Sequence, residues 1–516
     1  MRAVRGFVLL AVSLVLVPMI HGQEPTQREL LNAVEKQLKQ ATATAGPAIA
    51  TIVVSRSEHY PKAANADTPG KLGGFNPKEF LKTDATPERA QLAKSLDLSN
   101  IDAIPDHGYA GGVVIDAEGY VLTPYHVIDG ATRVYVFLQG GGGSYADIHA
   151  ADARADLAVL KLITPPAKMT AIKMANVRTV GVGEKKANVF AGKLCVLMAS
   201  PYSSKFGLGS PIAAFGSITN VRFRTKKPES DTPAPARWYS EYGVFLEFDV
   251  KVNAGITGGV LLNLDGEMIG LTNAMAVAWG NAIGPGYAVP VDDHFRRVVE
   301  VLRRGEEVEY GFLGVTSPNS RFAPNGDARA IDPIPGGAAA LAGIQNGDLI
   351  AKVNGIPVES FDDLLLHVGS ALAGSKVQIS VLRRNRVVEL EATLAKYTNK
   401  EAYITSVRPD AVFGLRVDYN TMLPSNLPQA QFFGMDERRE IRAGVCVREV
   451  VAGSPAATPF KTLGDTPTRW LITQVNGTDV TNPAEFIKAA KGQDKLKLTL
   501  LDPSETNPRS KELTIP

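Results

Sequence analysis

Asn253-Ala254-Gly255-Ile256-Thr257-Gly258-Gly259 runs directly into the apolar stretch Val260-Leu261-Leu262, with a second apolar stretch from Met268 to Leu271 close behind. A glycine-rich loop set between short apolar runs belongs to an antiparallel β domain rather than to a helical one. Outward from this loop the pattern repeats: Val113-Val114-Ile115, Val134 to Leu138, Leu157 to Leu162, Leu194 to Met198 and Val244 to Phe248 are short apolar runs. Glycine, proline and asparagine separate them. Many short strands without intervening helices, from Gly111 to about Val291, predict antiparallel barrels or a sandwich. Gly140 to Gly143 reads as a hairpin tip and not as a phosphate loop, because no Gly-Lys-Ser/Thr follows it.

Upstream, Ala48 to Val54 is a β-branched apolar run bounded by Gly46-Pro47, hence another strand. Between it and Gly111, Ser55 to His107 is polar, carries five prolines and keeps no period, so a large insertion or loop, mobile in part, is expected there. Thr26-x-x-Glu29 is a capping box ahead of Leu30, Val34, Leu38 and Ala41, which share one helical face. The chain opens with Arg2 and Arg5, then an apolar run from Phe7 to Val17, then Pro18 and the small residue Gly22. This pattern predicts an export signal cleaved near Gly22-Gln23. The alternative, a retained membrane anchor, has only eleven residues in the run to set against the roughly 20 that a bilayer span needs.

Downstream, Asp292 caps a helix with Phe295, Val298, Val299 and Leu302 on one face, and Gly305 ends it. An internal repeat follows: Leu349-Ile350, Val353-Asn354-Gly355, Val358 and Leu364 recur 122 positions later as Leu471-Ile472, Val475-Asn476-Gly477, Val480 and Phe486. Each copy reads as strand, Asn-Gly turn, strand, then a helix opened by Ser360 or Asn482. The expected division is a signal at 1–22, a helix at 23–45, a strand-rich domain at 46–305 with its insertion at 55–107, and modules at 310–396 and 401–516, the second divergent.

The whole composition agrees with several cores. The chain has 516 residues, 45% hydrophobic and 21% charged, with 55 basic against 53 acidic side chains. Neither disorder throughout nor a strongly basic nucleic-acid binder fits that balance. Cys195 and Cys446 are the only cysteines and read as buried, unpaired thiols.

Three segments of the strand-rich domain carry chemistry. Thr123-Pro124-Tyr125-His126-Val127 supplies an imidazole, Asp156-Leu157-Ala158-Val159-Leu160 a carboxylate at a strand start, and Thr257 a hydroxyl in the glycine-rich loop. The order His, Asp, hydroxyl is that of chymotrypsin-type proteases. With Gly111-Gly112-Val113-Val114-Ile115-Asp116 and Asn263-x-x-Gly266-Glu267-Met268-Ile269-Gly270, these segments resemble the HtrA/Deg family of trypsin-like serine endopeptidases. The resemblance implies a mainly β chain: a chymotrypsin/trypsin-like double β-barrel followed by two α+β PDZ-like domains.

By that resemblance His126 is the general base, Asp156 orients it, Thr257 takes the nucleophile's place, and the N–H groups of Gly255 and Thr257 form the oxyanion hole. Two positions depart from the family. Thr257 stands where the family has serine, and its Cβ methyl restricts χ1 beside the attacking oxygen. Ile256 stands where a polar residue is usual. The expected protein is therefore catalytically impaired, with an active endopeptidase using Thr257 as the alternative. Phe312, Leu313, Gly314 and Val315, and in the second module Phe413, Gly414 and Leu415, resemble carboxylate-binding loops of PDZ domains. In the second copy Arg469-Trp470 replaces the Gly347-Asp348 of the first. Implied partners are unfolded proteins or protein C-termini, in a trimer-based homo-oligomer exported to the periplasm or beyond. No cofactor, metal or nucleic acid is expected; His59, His107, His149, His294 and His367 show no metal spacing.

Overall fold

The structure, a computed structural model, describes residues 26–65, 67–82, 84–100, 108–140, 142–179, 186–200, 211–224, 243–250, 256–273, 285–316, 332–398, 403–423, 425, 440–464, 466–505 and 509–516. The export signal expected at 1–22 and the Gly255 N–H lie outside these residues. Among the described residues no helix is long and apolar enough to cross a membrane.

Two closed six-stranded antiparallel barrels form the first part of the chain. The first joins β1 (Ile49–Ser55), β2 (Tyr109–Val114), β3 (Tyr120–Thr123), β4 (Arg133–Leu138), β5 (Gly143–Asp152) and β6 (Leu157–Leu162), and β5 pairing with β6 closes it. The second joins β7 (Leu194–Ala199), β8 (Ile212–Arg224), β9 (Gly243–Phe248), β10 (Val260–Leu262), β11 (Met268–Asn273) and β12 (Gly286–Pro290). One buried cluster runs through both barrels and takes in Phe295, Val298 and Leu302 of the helix Asp293–Arg303. Asp292 caps that helix by accepting from the Phe295 N–H at 2.9 Å, a contact typically worth about 1 kcal/mol.

The N-terminal helix Gln27–Ala45 carries the capping box, with the Thr26 and Glu29 side chains each accepting a backbone N–H of the other. Only its C-terminal half docks: Ala41 and Ala45 are buried, while Leu30 and Leu31 stay exposed. The insertion, expected as a polar loop, is instead partly folded. Pro77 and Pro87 each sit at the first position of a helix, Pro77–Phe80 and Pro87–Leu96, where a missing N–H costs nothing. Tyr60, Phe75 and Leu96 bury together as a small core against the barrel, with Tyr60 and Phe75 in an edge-on contact at 5.3 Å. Too few apolar residues, too far apart in sequence, build this core for any periodicity to reveal it.

Beyond the barrels, β13 (Gly311–Phe312), β14 (Val315–Thr316), β15 (Asp332–Pro333), β16 (Leu349–Val353), β17 (Ile356–Pro357), β18 (Lys376–Arg383), β19 (Arg386–Thr393) and β20 (Ala395–Lys396) surround the helix Phe361–Gly369 in the first module. The next strand, β21 (Tyr403–Thr405), departs from the sequence division at 401. It pairs with Ala150 to Asp152 of β5, as a seventh strand on the first barrel's sheet. The reason is an open edge: β4 pairs β5 only from Gly143 to Ala146 and leaves the far half of that long strand uncovered.

The second module follows as one sheet of β22 (Leu415–Tyr419), β23 (Val445–Val450), β24 (Leu471–Val475), β25 (Thr478–Asp479), β26 (Leu496–Leu501) and β27 (Lys511–Ile515), with the helix Pro483–Ala490. The two modules share an ion pair between a buried carboxylate and a partly exposed arginine, with its polarity along the chain reversed. In the first, Asp348 binds Arg383 through two bonds of 2.8 and 2.7 Å. In the second, Arg469 stands before the strand, and its guanidinium binds Asp502 after β26, with Nε to Oδ2 at 2.8 Å. The lost Gly-Asp motif is thus replaced by its electrostatic mirror image.

A charge hub ties these parts together. Lys396 is 2% exposed, and its Nζ lies 2.8 Å from Glu307, 3.0 Å from Glu309 and 2.9 Å from Asp418. Arg448 binds Glu307 at 2.7 Å and donates to the Tyr403 hydroxyl at 2.6 Å. Burial opposes the Lys396 charge, but Asp418, Glu309 and Glu307 outweigh it and hold its pKa above the usual range. The three carboxylates have spacing that could suit a cation, and Lys396 already fills that role.

Cys195 and Cys446 are both free and buried, and burial pushes each thiol up to about 12. Neither carries useful thiolate at neutral pH. Native protein is therefore expected to take up less than a tenth of the iodoacetamide label that it takes up in urea, roughly, as read by intact mass.

Candidate active site

Pro124 ends the extended approach from β3, and the short helix Tyr125–Ile128 turns His126 toward the seam of the barrels. Asp156 closes the tight turn between β5 and β6 with φ +54, a left-handed conformation that aspartate tolerates better than most side chains. Its carboxylate is nearly enclosed, at 4% exposure. Oδ1 accepts the His126 backbone N–H at 3.0 Å, and both oxygens lie 2.9 Å from Nδ1. A carboxylate accepts from an imidazole N–H, so this geometry suits the tautomer with its proton on Nδ1.

The loop of Thr257 reaches the same seam. Gly111 of β2 donates its N–H to the Thr257 carbonyl at 2.6 Å, and the Thr123 hydroxyl donates to the Gly111 carbonyl at 3.0 Å. The strand end that leads into His126 and the loop that carries Thr257 are therefore stitched through one residue. Gly258 holds φ +76, and a Cβ there would lie 2.0 Å from the Gly111 oxygen, so only glycine permits this approach. On the other side the loop is tied to β11: Gly258 N–H donates to the Thr272 carbonyl at 2.9 Å, and the Thr272 hydroxyl to the Ile256 carbonyl at 2.5 Å.

Thr257 itself is 5% exposed. Ile256, whose apolar side chain looked out of place in the sequence, is 2% exposed and packs in the shared core. It anchors the loop from below, and an asparagine there would bury an amide.

Sequence reading missed what braces the Asp156 turn from outside. Asp152, four residues earlier, is buried and accepts from the Tyr310 hydroxyl and, at 2.9 Å, from the Ala155 N–H. Burial raises its pKa, with those bonds opposing. Arg154 stacks over Tyr310 at 4.1 Å and over Tyr397 at 4.6 Å. Tyr310 opens the first module and Tyr397 lies just past its last strand, its N–H donating to the Tyr310 carbonyl at 2.7 Å, so the turn carrying Asp156 is held from the module side. The sequence reading places Asp156 at the imidazole, where it is found, but gives Asp152 no role.

The two candidate carboxylate-binding loops are built alike. Leu313 accepts from the Ala339 N–H at 2.7 Å, and Phe413 from the Ala456 N–H at 3.1 Å. Gly314 and Gly414 both hold positive φ, +75 and +86. Among the described residues no bond uses the N–H of Leu313 or Gly314. The second loop is tighter: Val412 and Leu415 bond each other at 3.0 and 2.9 Å, and Ser454 crowds Gly414, where a Cβ would meet its Oγ at 1.9 Å, while a Cβ on Gly314 would meet nothing closer than Gly337 Cα and Phe312 Cε1 at 3.5 Å.

A double barrel that brings together a His–Asp pair and a glycine-bounded hydroxyl loop, followed by small α+β modules built alike, defines a trypsin-like peptidase with an appended PDZ domain. Models of known families agree: a trypsin-like peptidase domain matches residues 110–271 and a PDZ domain matches residues 331–383. The chain is 30% identical over 370 residues to the periplasmic pH-dependent serine endoprotease DegQ of Escherichia coli, covering 70% of this chain and 72% of that one. It is 30% identical over 389 residues to the periplasmic serine endoprotease DegP of the same organism, covering 73% and 70%. A probable periplasmic serine endoprotease, DegP-like, of Chlamydia trachomatis is 26% identical over 495 residues, covering 92% and 88%. The chain belongs to the HtrA/Deg family of serine endoproteases.

Proposed function

We propose that the chain is an exported member of this family that binds peptide C-termini and unfolded chains through its first PDZ module, with hydrolysis impaired at Thr257. One observation carries the reading: an internal β-branched hydroxyl, 5% exposed, occupies the nucleophile position in a loop clamped from both barrels. Threonine nucleophiles ordinarily rely on their own chain-terminal amine, which Thr257 lacks. Export is supported by the charged and apolar opening of the chain and by the periplasmic relatives. A homo-oligomer built on trimers belongs to the same reading.

Peptide binding is assigned to the loop Phe312 to Val315, where the paired N–H groups of Leu313 and Gly314 suit a terminal carboxylate and Phe312 and Val315 supply apolar walls. The Ser454-covered loop at Phe413, Gly414 and Leu415 is the weaker binder. A second reading, slow hydrolysis by Thr257, is favoured by the intact His126–Asp156 pair.

Calorimetry with apolar peptides, as free acids and as amides, is expected to show at least about tenfold tighter binding of the acids, since only they form charge-assisted bonds to the loop. In the same preparation, an unfolded protein is expected to be cleaved by wild type no faster than by His126→Ala. Equal affinity for acid and amide would remove the carboxylate loop, and clear His126-dependent cleavage would favour the second reading.

A further inference from the structure

The folded insertion encloses, against the outer wall of the first barrel, a cleft of about 850 Å³. Phe75 and Phe80 supply its aromatic surface, edge to face at 5.4 Å. Arg133, at the start of β4, lies in its wall and is 5% exposed. The Arg133 guanidinium donates to the carbonyls of Thr132, at 2.6 Å, and of Pro61, and it lies 4.8 Å over the Tyr60 ring. Its Nε has no partner among the described residues.

No carboxylate forms an ion pair with this buried cation among the described residues. The acid whose field reaches it, Asp147, spends Oδ2 on Lys71 at 3.0 Å and Oδ1 on the N–H groups of Leu72 and Gly73, both at 2.9 Å. Burial accordingly lowers the Arg133 pKa, opposed by Tyr60, Tyr145 and Asp147. Lys62, Lys71 and Arg89 also line the cleft, so its four basic groups face only two carboxylates, Glu79 and Asp147. A buried charge held only by neutral carbonyls and a ring face is costly, and an anion brought beside it recovers much of that cost.

We propose that this cleft is a binding site for a small organic carboxylate with an aromatic or branched apolar body, its charge facing Arg133 and its body against Phe75 and Phe80. Concave shape, an apolar surface and a few convergent polar groups are what such sites require. The site stands apart from the seam of the barrels and does not depend on whether Thr257 works.

The full chain is titrated calorimetrically with phenylacetate, phenylacetamide and inorganic phosphate. Phenylacetate is expected to bind at least about tenfold more tightly than either of the others, because the amide lacks the charge and phosphate the apolar body. Arg133→Gln is expected to weaken phenylacetate by about tenfold or more. Ala64→Trp, at an exposed lining residue, is expected to block it while leaving Arg133 intact, and it decides the matter if Arg133→Gln fails to fold. Acid and amide binding alike, phosphate binding as tightly as phenylacetate, no binding at all, or binding unchanged in Ala64→Trp would each overturn the proposal.

Discussion

Thr257→Ser is expected to raise cleavage of an unfolded protein by roughly 10²-fold or more over wild type, because removal of one triad function typically costs 10³-fold or more and the His126–Asp156 pair is formed. His126 and Asp156 meet at 2.9 Å, and the loop is pinned by Gly111 and Thr272 rather than by the threonine side chain. Deleting the methyl frees the oxygen's rotamer toward Nε2 and leaves a void of one methyl group. By analogy with Ile→Val changes, that costs about 0.5–1.5 kcal/mol of stability. The gain must vanish when His126→Ala is added. A fluorophosphonate probe, read by intact mass, is expected to label the serine variant and not the wild type. If wild type already cleaves as fast as Thr257→Ser, and Thr257→Ala abolishes that activity, the impaired reading is lost and a working internal threonine takes its place. Ile256 is left untouched in this experiment, because it packs in the core.

Lys396→Met is expected to destabilise the protein by about 3–5 kcal/mol at pH 7.5, the usual cost of removing one partner from a buried ionic group. Glu307, Glu309 and Asp418 would then share their site with Arg448 alone. In the wild type, burial works against the Glu307 charge, but Lys396 and Arg448 outweigh it and hold its pKa below the usual value. That contribution is present above the unfolded carboxylate range and is lost as pH falls through the folded value. Burial raises the Glu309 pKa, and the Asp418 and Glu307 carboxylates add to the effect against Lys396. Without the lysine these carboxylates relieve their repulsion by taking up protons. The deficit should therefore be largest near neutrality and shrink toward pH 4.5. Urea unfolding at the two pH values reads it directly. A deficit below about 1 kcal/mol at pH 7.5, or one that does not change with pH, would mean that the hub is not the electrostatic lock described.

Local signals in the chain were strong where one segment is enough to specify a structure. The capping box at Thr26 and Glu29, the Asp292 cap and the alternation of short apolar runs with turn residues each act over a few positions. The double barrel and the family followed from them together with the segments around His126, Asp156 and Thr257. Signals were weak where structure is made between distant segments. The insertion's aromatic core joins Tyr60, Phe75 and Leu96 across intervening polar residues, and β21 finds its place only because β5 outruns β4.

What the sequence by itself determined is the kind of strand or helix each segment forms and the chemistry of the three groups at the seam, including the one substitution that sets Thr257 apart. These depend on backbone preference and functional-group identity, both carried by each residue. Only the tertiary structure decided that Asp152 braces the Asp156 turn through Tyr310, that Ile256 is a core residue, and that Arg469 with Asp502 restores in reverse the pair of Asp348 with Arg383. Each of those depends on register and docking between segments distant in the chain. Burial then makes the choice, since a charge removed from water must find whichever partner the packing brings beside it.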